Sequence, residues 1–104
     1  MLERVADRLN DVPTVHTEFI PNLDYSHSPR LSIQWDEQKL NLTVGQMVEK
    51  LRAGDPPIEA SNMAEFRPRW KGLGIFANNL QPGEELIVAG RVRDILIEAA
   101  RKNT

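Results

Sequence analysis

The sequence predicts an α+β fold, a two-layer sandwich in which a mainly antiparallel sheet carries helices on one face. Helical and strand-like hydrophobic periods follow one another in the order α-β-β-α-β-β-α, without the regular βα alternation of a doubly wound fold. A chain of 104 residues suits one small domain, residues 1–104. Its 40% hydrophobic and 27% charged residues are typical of a folded globular protein.

Composition also excludes several classes of function. The net charge of −2, with both signs interspersed, provides no basic surface, so we do not expect a nucleic-acid partner. Cysteine is absent, which rules out disulfides and thiolate chemistry. No apolar run reaches the roughly 20 residues of a membrane span, and the first residues do not resemble a signal peptide. We therefore expect a cytoplasmic protein with no membrane partner.

The first elements are a helix and a strand. Leu2, Val5 and Leu9 recur at helical spacing, which predicts a short helix over about residues 2–10 with one buried stripe. Residues 15–20 alternate in the way of a strand with one partly wet face.

A second strand follows a polar loop. Leu31, Ile33 and Trp35 face one way, and we expect them on the covered face of the sheet. Ser32 and Gln34 point the other way, toward the polar face. The next four residues, 36–39, read as a turn.

The best-specified element is the helix that begins at Thr43. Thr43 and Gln46 form a T-x-x-Q capping box, in which each side chain accepts a hydrogen bond from a backbone N–H at the helix start. Leu42 and Met47 have the spacing of a hydrophobic staple across the same turn. The start of this helix is therefore predicted from both sides.

The end of that helix is a sharp corner. Gly54 is placed to take the left-handed conformation that ends many helices. Pro56 and Pro57 cannot continue a helix, so the chain must leave extended, with a short strand at 58–60. Asp55 favours a structural role, capping or bracing this corner, over a chemical one.

The second half predicts a last strand and a closing helix. Leu73, Ile75 and Ala77 alternate with smaller or aromatic residues as a strand would. Pro82 suits the first position of the helix that follows. Acidic residues near the start of this helix and basic residues near its end complement the helix dipole, and they are Glu84, Glu85, Arg101 and Lys102.

Candidates for chemistry are few. Arg67, Arg69 and Lys71 place three cations around one aromatic residue, and guanidinium groups can bind a carboxylate or phosphate through two hydrogen bonds. A solvated loop without a ligand is the alternative. His16 and His27 lack the spacing of a metal or catalytic motif, so we predict no metal site and no catalytic residue.

Four segments together resemble a known family. They are WDE at 35–37, LT at 42–43, LRAGDPPIE at 51–59 and LQPGEE at 80–85. In this combination the chain resembles the C-terminal small domain of selenocysteine-synthase-like enzymes, the L-seryl-tRNA(Sec) selenium transferase-related branch of fold-type I pyridoxal-phosphate enzymes. That branch includes D-glucosaminate-6-phosphate ammonia-lyase. The resemblance covers nearly the whole chain.

The resemblance implies the small-domain fold and a part in a lyase or transferase, but no catalysis by this chain alone. In this family a large domain holds pyridoxal 5'-phosphate through a lysine in a Gly-rich segment, and none of the four lysines here has that setting. We therefore expect no cofactor on this chain. In related aminotransferases an arginine on the last small-domain strand binds the substrate carboxylate, and Leu73 stands there. Substitute anion contacts would come from Arg67, Arg69 and Lys71.

The resemblance also implies a place for the corner and a partner for the domain. It makes Gly54, Asp55, Pro56 and Pro57 a wall of the active site, facing an anionic amino substrate. The partner would be the large domain, or a second copy bound through the exposed domain face. The alternative is a stand-alone interaction module that has kept the fold and has no catalytic activity.

Overall fold

The computed structural model describes residues 2–20, 30–65, 71–76, 80–81 and 83–102. The first half contains α1 (Leu2–Leu9), β1 (His16–Ile20), β2 (Arg30–Gln34), α2 (Glu37–Leu40) and α3 (Val44–Arg52). The second half contains β3 (Ser61–Asn62), a 3-10 turn (Met63–Glu65), β4 (Leu73–Phe76) and α4 (Glu84–Lys102). Apart from α2 and the 3-10 turn, this is the predicted order of elements.

The described strands form one four-stranded antiparallel sheet in the order β1-β2-β4-β3. Leu31 lies opposite Ile75, and Ile33 lies opposite Leu73, so these four side chains share one face of the two central strands. All four are essentially inaccessible to solvent. The predicted α+β class, with helices on an antiparallel sheet, is confirmed.

Apolar residues of the helices cover this face and close the core. Trp35 belongs to the same cluster, and its indole Nε1 donates to the carbonyl of Leu42 at 2.7 Å. That bond satisfies the one polar atom of a buried indole, as buried tryptophans require. The helical core residues include Val5, Leu9, Met47, Leu51, Val88, Val92 and Leu96.

The opposite face is less open than the alternating pattern of β2 predicted. Ser32 is 1% exposed, and its buried hydroxyl donates to the carbonyl of Lys71 at 2.7 Å. Gln34 Nε2 donates in turn to Ser32 Oγ at 3.3 Å. On the neighbouring strand, a Cβ added to Gly74 would overlap the thioether of the buried Met63. The expectation that Ser32 lies on a wet polar face was therefore wrong.

Two local predictions were also wrong. Residues 36–39 do not form a simple turn, since α2 begins at Glu37 and the Asp36 carboxylate accepts hydrogen bonds from the first amides of this helix. The strand expected at 58–60 is displaced to β3, because the Ile58 amide donates to the carbonyl of Leu51 at 2.9 Å and the strand ladder begins only at Ser61.

Two arginines of α4 join distant parts of the chain. Arg93 donates to both carboxylate oxygens of Asp11 and to the carbonyl of Arg8, which fixes α4 beside the end of α1. The hydrogen bond from Arg93 holds the pKa of Asp11 below its ordinary value. Arg91 reaches the corner after α3, described below. In the described part of the chain, no helix has the length and apolarity needed to cross a membrane.

Candidate functional site

The N-terminal end of α3 is fixed as the sequence predicts. Gln46 N donates to Thr43 Oγ1 at 3.1 Å, and Thr43 N donates to Gln46 Oε1 at 2.9 Å, so both halves of the capping box are present. The first amide of the helix, Val44 N, donates to Glu37 Oε2 at 3.1 Å. A carboxylate of this chain therefore already occupies the positive end of the helix.

The C-terminal end of α3 differs from its prediction. The helix ends on Ala53 with a right-handed φ of −78°, and the described glycines with positive φ are Gly72 and Gly83. The left-handed cap expected at Gly54 is therefore absent. Gly54 has another constraint, since the guanidinium of Arg91 occupies the space where a Cβ would lie. An alanine at this position would require the guanidinium of Arg91 to move.

Residues 54–57 form the predicted corner, and three polar contacts hold it. The Leu51 carbonyl accepts from Gly54 N at 3.4 Å and from Ile58 N at 2.9 Å, which closes the chain around the corner. Arg91 Nη1 donates to the carbonyl of Pro56 at 2.9 Å. The peptide bond before Pro56 is cis. Asp55, Pro56 and Pro57 are exposed, so the corner presents a solvent-facing surface.

Only one member of the predicted cation cluster can be placed. Arg67 and Arg69 lie outside the described residues, whereas Lys71 is exposed and its carbonyl is held by Ser32. Lys71 lines a cleft of about 500 Å³, which the first turn of α3 also borders at Thr43 and Gly45. Glu37 lines the same cleft, so the cleft contains a carboxylate as well as a cation of this chain.

The corner and Lys71 lie at opposite ends of α3. The cleft beside Lys71 borders the first turn of that helix, and residues 54–57 follow its last turn. A nine-residue α-helix is about 13 Å long at 1.5 Å per residue. A single ligand that touched both groups would have to extend along most of α3.

The described side chains do not fit a covalently held pyridoxal phosphate. A lysine that forms a Schiff base is activated by desolvation or by a neighbouring cation. All four lysines of the chain are exposed, and Lys102 pairs with Glu98 at 3.3 Å. The other three are Lys39, Lys50 and Lys71.

Metal ligands are not clustered within the described ranges. His16 is exposed on β1, and His27 lies outside the described residues. No three His, Asp or Glu side chains come together there as a metal site would require.

Sequence reasoning missed Arg91, which supplies the contact from α4 to the corner. The arginine lies 35 residues after Pro56, and neither its charge nor its helical position marks it as different from its neighbours. The sequence indicated a special role for Gly54, but that role was assigned to a left-handed backbone conformation.

The fold of this chain is similar to part of a larger solved enzyme. The solved structure is that of D-glucosaminate-6-phosphate ammonia-lyase, which superposes with a TM-score of 0.74 at 19% sequence identity. The match covers 95% of this chain and 26% of that chain, so this chain spans about a quarter of its length. No protein-family model and no protein of curated function matches the sequence.

Proposed function

We propose that this chain is the C-terminal small domain of a selenocysteine-synthase-like, pyridoxal-phosphate-dependent lyase or transferase. The observation that carries this proposal is the superposition with D-glucosaminate-6-phosphate ammonia-lyase over 95% of the chain. The resemblance of the LRAGDPPIE and LQPGEE segments to the selenocysteine-synthase-like branch supports it independently. The large domain and its lysine would complete the enzyme.

In this proposal the domain positions and encloses the substrate. The cofactor supplies the electron sink for carbanion chemistry when it is bound to the large domain. The exposed 54–57 corner forms one wall of the active site and limits the access of water. Arg67, Arg69 and Lys71 bind the anionic group of an amino substrate through charge-assisted hydrogen bonds.

The same proposal assigns the partner. Among the described residues, three large apolar side chains are exposed, with Phe19 at 48%, Leu86 at 38% and Ile87 at 46%. Burial of apolar surface is the main driving force of association. The large domain, or a second copy of the chain, would cover these residues in a cytoplasmic assembly.

The decisive experiment compares this chain alone with the chain joined to the large domain of a pyridoxal-phosphate-dependent enzyme. Pyridoxal phosphate is added to each, and the visible absorbance of the lysine-bound cofactor is recorded. Ammonia release from a phosphorylated amino sugar acid is measured in parallel. We expect both signals only from the joined protein. Lysine-bound cofactor on the chain alone, or no cofactor binding by the joined protein, would contradict the proposal.

Substitution of the cations tests the anion contact. In the joined enzyme, Arg67→Ala and Arg69→Ala should raise KM for an anionic substrate, because each removes a bidentate donor. Lys50→Ala is the matched control, since Lys50 is an exposed cation on α3. A KM that stays unchanged in both arginine variants would refute this part of the proposal.

The exposed apolar side chains also favour a second candidate, the stand-alone interaction module. It predicts that the isolated chain associates with itself through Phe19, Leu86 or Ile87. Sedimentation velocity over a wide concentration range would detect this association, and Phe19→Ser with Ile87→Ser should abolish it. A chain that remains monomeric throughout would count against the module.

A further inference from the structure

We infer that Arg91 is a positioning residue that couples the 54–57 corner to α4. The consequence for catalysis rests on the proposed function, because it requires the corner to be a wall of the active site. The contact itself can be tested without that assumption. In this inference, the corner keeps its position relative to α4 only while one guanidinium group bridges them.

One side chain makes both contacts. Arg91 Nη1 lies 2.9 Å from the carbonyl oxygen of Pro56, and the same guanidinium covers the face of Gly54. Neither Pro56 nor Pro57 has an amide N–H, so this part of the corner cannot donate backbone hydrogen bonds. Arg91, on α4, therefore supplies a hydrogen-bond donor that the two prolines lack.

Arginine suits this position better than lysine would. Its guanidinium is flat and carries five N–H donors, so one edge can donate while the plane covers a neighbouring backbone. The ammonium of a lysine is a compact point charge and cannot cover Gly54 in the same way. The absence of a side chain at Gly54 is the other half of the arrangement, because a Cβ would displace the guanidinium.

This geometry predicts an unusual relation between two substitutions. Gly54 has an ordinary φ, so alanine is not excluded there by backbone conformation. Gly54→Ala should therefore act by expelling Arg91 and should reproduce the effect of Arg91→Ala. Once Arg91 has been replaced by alanine, the three atoms that lie nearest to the added methyl group are gone. The double variant should then be no worse than Arg91→Ala alone.

Amide hydrogen exchange in the isolated chain tests this relation. The probe is the amide of Ile58, which is bonded to Leu51 across the corner, and the reference is the amide of Met47, bonded to Thr43 at 3.0 Å. Loss of one hydrogen bond from a charged donor corresponds to about tenfold faster exchange at the probe. We expect that factor in Gly54→Ala, in Arg91→Ala and in the double variant, with the reference unchanged.

Arg93→Ala is the matched control, because it removes an arginine contact from the same helix that holds a different part of the chain. It should leave exchange at Ile58 unchanged. Additive effects of Gly54→Ala and Arg91→Ala, or unchanged exchange at Ile58 in both, would overturn the inference. Arg91→Lys should give an intermediate rate, because it restores the charge and one donor without the planar group.

The joined enzyme separates this inference from the proposed function. If the corner is an active-site wall, Arg91→Ala should change kcat or KM about tenfold, whereas Arg93→Ala should not. Faster exchange at Ile58 in Arg91→Ala together with unchanged kinetics would support the coupling of the corner to α4. The same result would contradict the proposal that the corner is a wall of the active site. Unchanged exchange would reject the coupling, whatever the kinetics show.

Discussion

The two ends of α3 are held by different kinds of contact. At the N-terminal end, Thr43, Gln46 and Glu37 satisfy backbone amides from within seven residues along the chain. At the C-terminal end, the contact with Gly54 and Pro56 comes from Arg91, 35 residues after Pro56. The start of α3 is therefore held by local hydrogen bonds, whereas its end combines local hydrogen bonds to the Leu51 carbonyl with a tertiary contact from Arg91. Substitutions at each end should reveal the difference.

The largest effect is expected at the last turn of α3. Leu51 is fully buried in the core, and its carbonyl accepts both bonds that close the corner. Leu51→Ala should lower the free energy of unfolding by about 3 kcal/mol, because it leaves a cavity beneath the corner. Urea unfolding measures this change. Arg52→Ala, on the exposed side of the same turn, should cost less than about 1 kcal/mol. Equal losses in Leu51→Ala and Arg52→Ala would show that core packing does not determine the stability of the last turn of α3.

The capping box should give the next effect. Thr43→Ala should reduce the free energy of unfolding by about 1 kcal/mol, because an amide of the first turn loses its acceptor. Gln46→Ala should cost less, and the double variant should show coupling, since each side chain supports the same turn. Thermal unfolding of the four proteins completes the cycle. Strictly additive losses would mean that the box does not act as a unit.

Removal of one negative charge should have a smaller effect on the free energy of unfolding, and the effect should differ between the two ends of α3. Glu37→Gln should cost about 0.5 kcal/mol, because Val44 N then donates to a neutral oxygen at the positive end of α3. Glu49→Gln, near the negative end, should cost less, because the loss of its exposed ion pair with Arg52 is offset by the removal of a negative charge from that end. The comparison is made by urea unfolding at low salt and repeated at high salt, where the loss in Glu37→Gln should shrink. The same loss at both positions would contradict the dipole argument.

The smallest effect on stability is expected from loss of the contact between Asp11 and Arg93, the second arginine of α4 that reaches a distant part of the chain. The hydrogen bond from Arg93 lowers the pKa of Asp11, so the folded state binds this proton less readily than the unfolded state. Its contribution to stability is present above the ordinary carboxyl pKa of 3.8 and is lost as pH falls below it. Asp11→Asn should therefore be less stable than the natural chain at neutral pH, with the difference closing in acid.

Unfolding measured at a series of pH values follows this difference. Asp7→Asn on the exposed face of α1 is the control, because it removes a nearby carboxylate other than the one to which Arg93 donates. The difference in stability between Asp11→Asn and the natural chain could instead stay constant through the acid range. That result would show that the Arg93 contact does not depend on the charge of Asp11.

Most of the fold could be predicted because its signals are local. Each signal comes from neighbouring residues and predicts one element. The signals are the apolar stripe of α1, the period of two that places Leu31 and Ile33 on one face, and the capping box at Thr43. The errors occurred where the partner is distant. Ser32 was assigned to a wet face because its acceptor, the carbonyl of Lys71, lies 39 residues away.

The candidate site was less predictable than the fold. The corner was recognised from its prolines, and Lys71 from its cationic neighbours, but their placement at opposite ends of α3 depends on how β4 pairs with the sheet. Roles for these residues remain predictions. The left-handed conformation predicted for Gly54 was wrong, and the structure places the guanidinium of Arg91 against this residue.

The sequence by itself determined where α3 begins, which strand residues enter the core, and that the chain must turn at Pro56 and Pro57. These features follow from hydrogen-bond donors, hydrophobic periods and fixed φ angles within a few residues. Only the tertiary structure decided which side chain lies against Gly54 and which donor reaches the carbonyl of Pro56. The reason is that the space beside Gly54 and the acceptor at Pro56 are both taken by Arg91, whose position depends on the packing of α4.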